Sequence, residues 1–201
     1  MKIRFIGDVH SKFDAYLPLI EVVEKSIQVG DMGIGFGIDM PIISPDHKFI
    51  RGNHDNLFLC RKSPNFIKDG TFWKEESIFF IGGAWSIDYE WRQQYEMSTG
   101  IKIWWADEEC SYKELQKFIG LYEKYKPRIM VTHDSPTILA EKLSPKYDLD
   151  KSRTRLAFDN MFDIHKPDIW ICGHWHVSRR EEISGTEFIV LNELEVVDLE
   201  I

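Results

Sequence analysis

KIRFIGDVH, residues 2–10, is a short apolar run that ends at Gly7 and is followed at once by two side chains of metal-ligand type, Asp8 and His10. Its length and its β-branched and aromatic content predict a buried strand over Lys2–Gly7. Seven more runs of this kind follow, and several of them end in Gly, Asp or His. They predict strands over Ile27–Gly30, Lys48–Gly52, Ile78–Gly83, Arg128–His133, Asp168–Gly173, Glu187–Asn192 and Glu195–Leu199.

Apolar residues at helical spacing separate several of these strands. The pattern predicts helices over Phe13–Lys25, Ser111–Tyr125 and Lys151–His165. The second helix opens on a capping box, with Ser111 at its start and Glu114 three residues later. The last two predicted strands follow each other without a helix, so we expect the end of the chain to be antiparallel. The whole pattern predicts a single α/β domain over residues 1–201 with mixed sheets.

Composition and charge exclude several classes of protein. The 201 residues are 43% hydrophobic and 13% aromatic, which is enough to bury a core and argues against a disordered chain. The formal net charge of −8 argues against a nonspecific binder of long nucleic acids or anionic membranes. Three scattered cysteines fit a reducing compartment, and no apolar run approaches the ~20 residues of a membrane span. We therefore expect a cytoplasmic protein without a membrane partner; the oligomeric state stays open.

Side chains that bind metals stand at the ends of five predicted strands. The ligand edge of an open α/β sheet lies beyond the carboxyl ends of its strands, so these side chains are expected to meet there. Residues i and i+2 of an extended chain point to the same side, which would aim Asp8 and His10 into one crevice, and His174 with His176 likewise. The full set is Asp8, His10, Asp31, Asn53, His54, His133, His174 and His176.

Carboxylate, amide and imidazole donors together fit transition metals better than Ca2+ or Mg2+ alone. The donors are too many for one four-coordinate ion, whereas two ions about 3.5–4 Å apart would use them. The ordered motifs GDVH, GD, GNHD, a single His and GHWH resemble those of the calcineurin-like metallophosphoesterase superfamily. The resemblance implies a sandwich of two mixed β-sheets flanked by helices, with a dinuclear metal centre at the strand ends.

The resemblance also implies a role for each residue. One divalent ion would take Asp8, His10, Asp31 and His176. The other would share Asp31 and take Asn53, His133 and His174. We expect Mn2+, with Fe, Zn, Ni, Co or Mg as alternatives, and a metal-bridging hydroxide as the nucleophile. His54 would be the general acid, and Asp55 would orient its imidazole.

Two arginines are candidates for substrate binding. Arg51 precedes GNHD, as in the RGNH pattern of Ser/Thr protein phosphatases, but it could also face the crevice for local reasons. Arg92 lies in residues 84–110, an irregular excursion with four of the seven tryptophans. The excursion is interpreted either as a cap that walls the substrate site or as a packed loop over a sheet edge.

The expected activity is hydrolysis of a small phosphoester, a phosphodiester or a phosphomonoester, nucleotides included. Two alternatives stay open: a phosphoprotein phosphatase of Ser/Thr type and a catalytically inactive protein-binding scaffold. The motif GDMGIGF (30–36) lacks the second Asp and the Arg of the protein-phosphatase pattern GDxxDRG, which weighs against the first. The complete set of ligand residues, together with His54, weighs against the second.

Overall fold

Two mixed β-sheets pack face to face in the computed structural model, which describes residues 1–144 and 151–201. The smaller sheet has the order β10-β1-β2-β3 and the larger one the order β4-β5-β6-β7-β9-β8. The strands are β1 (Lys2–Ile6), β2 (Ser26–Gln28), β3 (His47–Phe49), β4 (Thr71–Trp73), β5 (Ile78–Ile81), β6 (Ile129–Thr132), β7 (Ile169–Cys172), β8 (Arg179–Ile183), β9 (Thr186–Val190) and β10 (Val196–Glu200).

Helices cover the outer faces of both sheets, which confirms the predicted sandwich. The helices within the described residues are α1 (Phe13–Glu21), α2 (Leu57–Cys60), α3 (Tyr89–Thr99), α4 (Tyr112–Tyr125), α5 (Thr137–Leu143) and α6 (Arg153–Ile164). α1 packs on the smaller sheet through Phe13, Tyr16 and Ile20, while α4 and α6 pack on the larger one. A third apolar cluster lies between the sheets and includes Phe5 of β1 and Phe80 of β5. The layers are therefore helix, sheet, sheet and helix.

The parallel strands are the part of the fold that builds the site. β1, β2 and β3 run parallel, as do β5, β6, β7 and β9. Their carboxyl ends therefore lie at one edge of the sandwich. Antiparallel strands close the sheets: β10 pairs with β1, β4 with β5, and β8 with β9.

The structure contains helices that the sequence did not predict, α2, α3 and α5, and it differs from the prediction in several other elements. α1 ends at Glu21 rather than Lys25, because the Lys25 carbonyl already accepts a hydrogen bond from the Arg4 backbone N–H (3.1 Å) as the chain enters β2. The last two predicted strands do not pair with each other, since β10 crosses to the smaller sheet. β4 is a short edge strand, and β8 has the polar sequence RREEI, so neither carries the apolar signal of a buried strand.

The remaining global expectations concern cysteines and membranes. Cys60, Cys110 and Cys172 are buried and free. Within residues 1–144 and 151–201, no helix has the length and apolar character needed to cross a bilayer.

Candidate metal centre

The predicted ligands meet where the parallel strands end. Asp8 follows β1, Asp31 follows β2 and His133 follows β6, so each side chain enters the same edge of the sandwich. Asn53 lies on the loop after β3, and His174 follows β7. The topology thus brings together residues as distant in the sequence as Asp8 and His176.

Left-handed turns, rather than extended chain, aim several of these side chains. Asp31 has a φ of 57°, His174 of 68° and His176 of 50°. His10, with a φ of 49°, adopts the same region. The paired residues do reach one centre, but left-handed turns aim them there and not the strand alternation that was predicted. Each such residue costs on the order of 1 kcal/mol, and such a concentration at one place is typical of a functional site.

The first group of donors is Asp8, His10, Asp31 and His176, whose ligand atoms all lie within 4.8 Å of one another. His176 Nε2 is 3.0 Å from Asp8 Oδ2 and 3.0 Å from His10 Nε2. His10 Nε2 is 3.8 Å from Asp31 Oδ2. Two buried carboxylates and two imidazoles that converge in this way fit a divalent transition metal.

The second group uses the other oxygen of Asp31. Asp31 Oδ1 is 3.3 Å from His133 Nε2. Asn53 Oδ1 lies 3.1 Å from His133 Nε2 and 3.1 Å from His174 Nδ1. His133 Nδ1 donates to the Val29 carbonyl (3.0 Å), so that Nε2 is the nitrogen presented to the centre. The two groups share one carboxylate, which is the arrangement a dinuclear centre requires.

Two glycines make room for the carboxylates. A Cβ on Gly173 would lie 2.2 Å from Asp8 Oδ1, and a Cβ on Gly52 would lie 1.9 Å from Asp31 Oδ1. Neither glycine is required by a left-handed φ, since only the close approach of the ligand excludes a side chain. The glycine in front of these motifs is therefore explained by ligand packing.

Charges in the centre are balanced between Asp31 and the imidazoles. Burial raises the pKa of Asp31, but the combined attraction of His133, His54 and His10 outweighs burial and holds that pKa well below its usual range. Burial lowers the pKa of His133, but the charge and hydrogen bond of Asp31, together with Asp8 and the Val29 carbonyl, outweigh burial and raise the pKa to about 10. Burial lowers the pKa of His174 to about 4. In the metal-free protein at neutral pH, His133 thus carries a proton and His174 is neutral.

His54 faces the centre, but Asp55 does not orient it. The His54 backbone N–H donates to Asp31 Oδ1 (2.8 Å), and its Nε2 accepts from Arg92 Nη2 (3.3 Å). The Asp55 carboxylate instead accepts hydrogen bonds from the backbone N–H groups of residues 32, 33, 34 and 52. Asp55 therefore holds the loop after Asp31, and the predicted contact with the imidazole is corrected to this one. Burial lowers the pKa of His54, as does Arg92, against the opposing pull of Asp31.

Arg51 points away from the centre, so its predicted role in substrate binding is wrong. Its side chain is 1% exposed, and Nε donates to Asp69 Oδ2 (2.9 Å). Nη1 donates to the carbonyls of Asp107 (2.8 Å) and Glu108 (2.7 Å). Nη2 donates to Cys110 Sγ (3.1 Å). β3 ends at Phe49, and the alternation that would have turned Arg51 toward the crevice ends with it.

A cavity of about 280 Å³ adjoins the centre and contains Arg92 in its wall. Residues 84–110 supply one side of it, and their middle forms α3 rather than irregular chain. None of the residues of α3 is buried, so the helix shows no apolar stripe from which it could be predicted. The lining residues are Asp31, Asn53, His54, Trp85, Ser86, Ile87, Asp88, Arg92, Arg155, His174, Trp175 and His176.

Sequence reasoning missed three side chains around the site. Arg155 of α6 is 3.1 Å from Asp134 Oδ2, and its guanidinium lies 5.1 Å from the centre of the Trp175 ring. Glu193 places Oε1 3.6 Å from His176 Nδ1. Ser86 accepts a hydrogen bond from Asn53 Nδ2 (2.9 Å).

No sequence signal identifies these three residues. Arg155 lies inside a helix, Glu193 in a turn after β9, and Ser86 in the excursion. Each acquires its role only from a contact made by the folded chain.

Comparison with known proteins agrees with this geometry. The model of the calcineurin-like phosphoesterase family matches residues 1–178, so the chain belongs to that family of metal-dependent phosphoric ester hydrolases with dinuclear divalent centres. The phosphopantetheinyl hydrolase of Mycobacterium tuberculosis has a TM-score of 0.55 at 12% identity, over 96% of this chain and 89% of that one. GAP50, the anchor in the inner membrane complex of Plasmodium, has a TM-score of 0.46 at 12% identity, over 95% and 71%. The first likeness supports the fold alone, and no curated protein matches the chain.

Proposed function

We propose that the chain hydrolyses a small phosphoester, a phosphodiester or a phosphomonoester such as a nucleotide, at a dinuclear centre that is best served by Mn2+. The observation that carries this proposal is the placement of Asp31. Its Oδ2 faces His10, and its Oδ1 faces His133, so one carboxylate belongs to both donor groups. A protein-binding scaffold has no need of a carboxylate that is shared between two sets of donors.

The reaction divides between the centre and the residues around it. When bound, two divalent ions lower the pKa of a water and stabilise charge on phosphoryl oxygens. We assign to His54 the role of general acid, which donates a proton to the leaving oxygen. Its imidazole lines the cavity next to Asp31, with Nε2 4.0 Å from Oδ2. Arg92 Nη2 now donates to His54 Nε2, which therefore carries no proton in this contact. A phosphoryl oxygen would be a stronger acceptor for the same guanidinium, and its binding would free Nε2 to take up from solvent the proton that it then donates.

The cavity wall favours a compact substrate with an apolar or aromatic group. Trp85, Ile87 and Trp175 provide apolar surface close to the ligands, while Arg92 provides a charge. A volume of about 280 Å³ suits one ring system and a phosphate. Arg51, the residue that supported a phosphoprotein phosphatase, is committed to the protein interior.

Turnover of paired substrates tests the proposal. Protein loaded with Mn2+ should hydrolyse p-nitrophenyl phosphate or bis-p-nitrophenyl phosphate, and a chelator should abolish the turnover. His54→Ala should lower kcat by roughly 10²- to 10⁴-fold on an alkyl phosphoester, which needs a general acid, and far less on the nitrophenyl esters, whose leaving group does not.

The matched control is His165→Ala. This imidazole sits outside the site, with Nε2 on the Pro127 carbonyl (2.9 Å). Its kcat should equal that of the wild type on both substrates. Mn2+ binding without turnover of any phosphoester would refute the proposed hydrolysis and favour the scaffold.

A further inference from the structure

Asn53 is the only amide among the proposed ligands, and an amide can bind a cation through one end alone. Oδ1 carries the lone pairs, whereas Nδ2 carries two hydrogens and would repel the ion. A rotation of 180° about the last side-chain bond exchanges the two ends at almost no change in shape. Something in the protein must therefore select the productive orientation.

The structure assigns that task to Ser86 and Glu108, and we propose that they are positioning residues that hold the Asn53 carbonyl toward the second metal. The proposal rests on the proposed dinuclear centre. Asn53 Nδ2 donates to Ser86 Oγ (2.9 Å), and Ser86 Oγ donates to Glu108 Oε2 (2.5 Å). The Ser86 backbone N–H donates to the other oxygen, Glu108 Oε1 (3.0 Å).

The direction of this chain of hydrogen bonds follows from its two ends. An ionised carboxylate can only accept, so the single Ser86 hydroxyl hydrogen is drawn toward Glu108. The Ser86 oxygen then offers its lone pairs to Asn53, and only the NH2 end of the amide can use them. Oδ1 is left facing His133 Nε2 and His174 Nδ1, at 3.1 Å from each.

Burial makes this selection costly to violate. Asn53, Ser86 and Glu108 are between 2% and 4% exposed, so little of their surface is open to a water that could replace a lost partner. A flipped amide would place a carbonyl against the Ser86 oxygen and a hydrogen against the metal ligands. Each buried group left without a partner destabilises this orientation, because it has lost its contacts with water and gains none in the protein.

The two positioning residues come from opposite ends of the 84–110 excursion, and Arg51 fastens both ends. The Gly83 backbone N–H donates to the Arg51 carbonyl (2.8 Å), just before Ser86. Arg51 Nη1 donates to the Glu108 carbonyl (2.7 Å) at the other end. The excursion that walls the cavity is thereby connected to one specific ligand, Asn53, and to the second metal rather than the first.

Two-step metal titrations test the proposal on protein as purified, with bound metal removed by a chelator. Mn2+ binding is followed by calorimetry and Co2+ binding by its d–d absorption, both at pH 8, where Glu108 is ionised. Ser86→Ala should weaken one of the two binding steps by roughly 10- to 100-fold, as expected for a lost outer contact to a ligand, and leave the other unchanged. Ser86→Thr keeps the hydroxyl and should restore the affinity.

Glu108→Gln makes a sharper prediction. A glutamine cannot accept from both the hydroxyl and the backbone N–H of Ser86, and its NH2 end would reverse the direction of the chain at Oγ. We expect a loss at least as large as that of Ser86→Ala, confined to the same binding step.

The neighbouring acid Glu109 supplies the matched control. It is buried to a similar degree (5% exposed), but it accepts from Ser152 Oγ (3.0 Å) and the Thr154 backbone N–H (2.9 Å), away from Asn53. Glu109→Gln should lower stability and leave both metal affinities unchanged.

Two outcomes separate this proposal from the proposed function. Wild-type affinities at both steps in Ser86→Ala and Glu108→Gln would overturn the positioning role, whether or not phosphoesters are hydrolysed. A selective loss of one metal in a protein that hydrolyses no phosphoester would support the positioning role and refute the function.

Discussion

Arg51 offers the clearest test of how this site is built, because sequence and structure assign it opposite roles. If Arg51 held substrate phosphate, its removal would raise KM and leave stability unchanged. In the structure it lies in the interior and donates to one carboxylate, two carbonyls and one sulfur. Arg51→Met, which keeps the volume and removes the donors, should therefore act on stability.

The expected loss can be estimated from those contacts. Removing one partner of a buried ion pair leaves an uncompensated charge, here on Asp69, and costs about 3–5 kcal/mol. That is a large share of the ~5–15 kcal/mol by which domains are stable. With a urea m value of about 2–3 kcal/mol/M, the unfolding midpoint should fall by roughly 1–2 M. Arg51→Lys keeps the charge without the planar fork and should fall between the two proteins.

Urea unfolding followed by fluorescence and steady-state kinetics together decide the question. Because Arg51 also fastens the excursion that walls the cavity, any rise in the KM of Arg51→Met for an aryl phosphoester should accompany this loss of stability. The control is Arg61→Met, an exposed arginine whose loss should change stability by less than about 0.5 kcal/mol. If Arg51→Met were as stable as this control and had a raised KM, the result would show that Arg51 binds substrate.

Three further predictions concern the metal centre and its surroundings. Gly173→Ala should displace the Asp8 carboxylate, because Asp8 Oδ1 would lie 2.2 Å from the new Cβ, and a calorimetric titration should then show no metal binding at the first group. The control is Gly120→Ala, which lies in open space on α4 and should stabilise the protein by up to about 1 kcal/mol. Burial raises the pKa of Glu108 to about 7 from an ordinary 4.5, so between these pH values the folded protein holds a proton that the unfolded chain lacks. The metal-free wild type should therefore lose up to roughly 3 kcal/mol of unfolding free energy as pH rises from 4.5 through 7. Urea unfolding of Glu108→Gln should show no such loss. The pKa of His133 near 10 implies that metal binding at pH 7–8 releases a proton from this imidazole. Calorimetry in buffers of different ionisation enthalpy should detect the released proton. Metal binding without proton release would contradict the ion pair between His133 and Asp31.

The residues that we propose as metal ligands could be located from the sequence because their motifs are local. Asp8 stands directly after a glycine that ends an apolar strand, and His174 does the same, so motif and strand prediction together locate both. The edge at which they meet follows from the parallel order of the strands. What the sequence concealed was the backbone: left-handed residues, not alternation, aim the side chains.

The supporting residues could not be predicted because their contacts join distant positions. Arg51 meets Cys110 across 59 residues, and Ser86 meets Glu108 across 22. The RGNH motif is the same whether the Arg51 side chain faces a substrate phosphate or a backbone carbonyl. The direction of the side chain depends on where β3 ends, which the motif does not show. The excursion gave no helical signal for a related reason, since α3 buries none of its residues.

The charge of the site implies an order of events. Asp8 and Asp31 are buried with exposures of 0% and 1%, and without metals their neighbouring imidazoles compensate them only in part. A phosphate dianion that entered this centre would meet two carboxylates, although Arg92 stands nearby. Two divalent ions add four positive charges, which changes the formal charge of −8 to −4. At the metal centre they would make the electrostatic potential positive. Phosphoester binding should therefore require prior metal binding, and a phosphate titration of the metal-free protein should show no saturable site in the cavity.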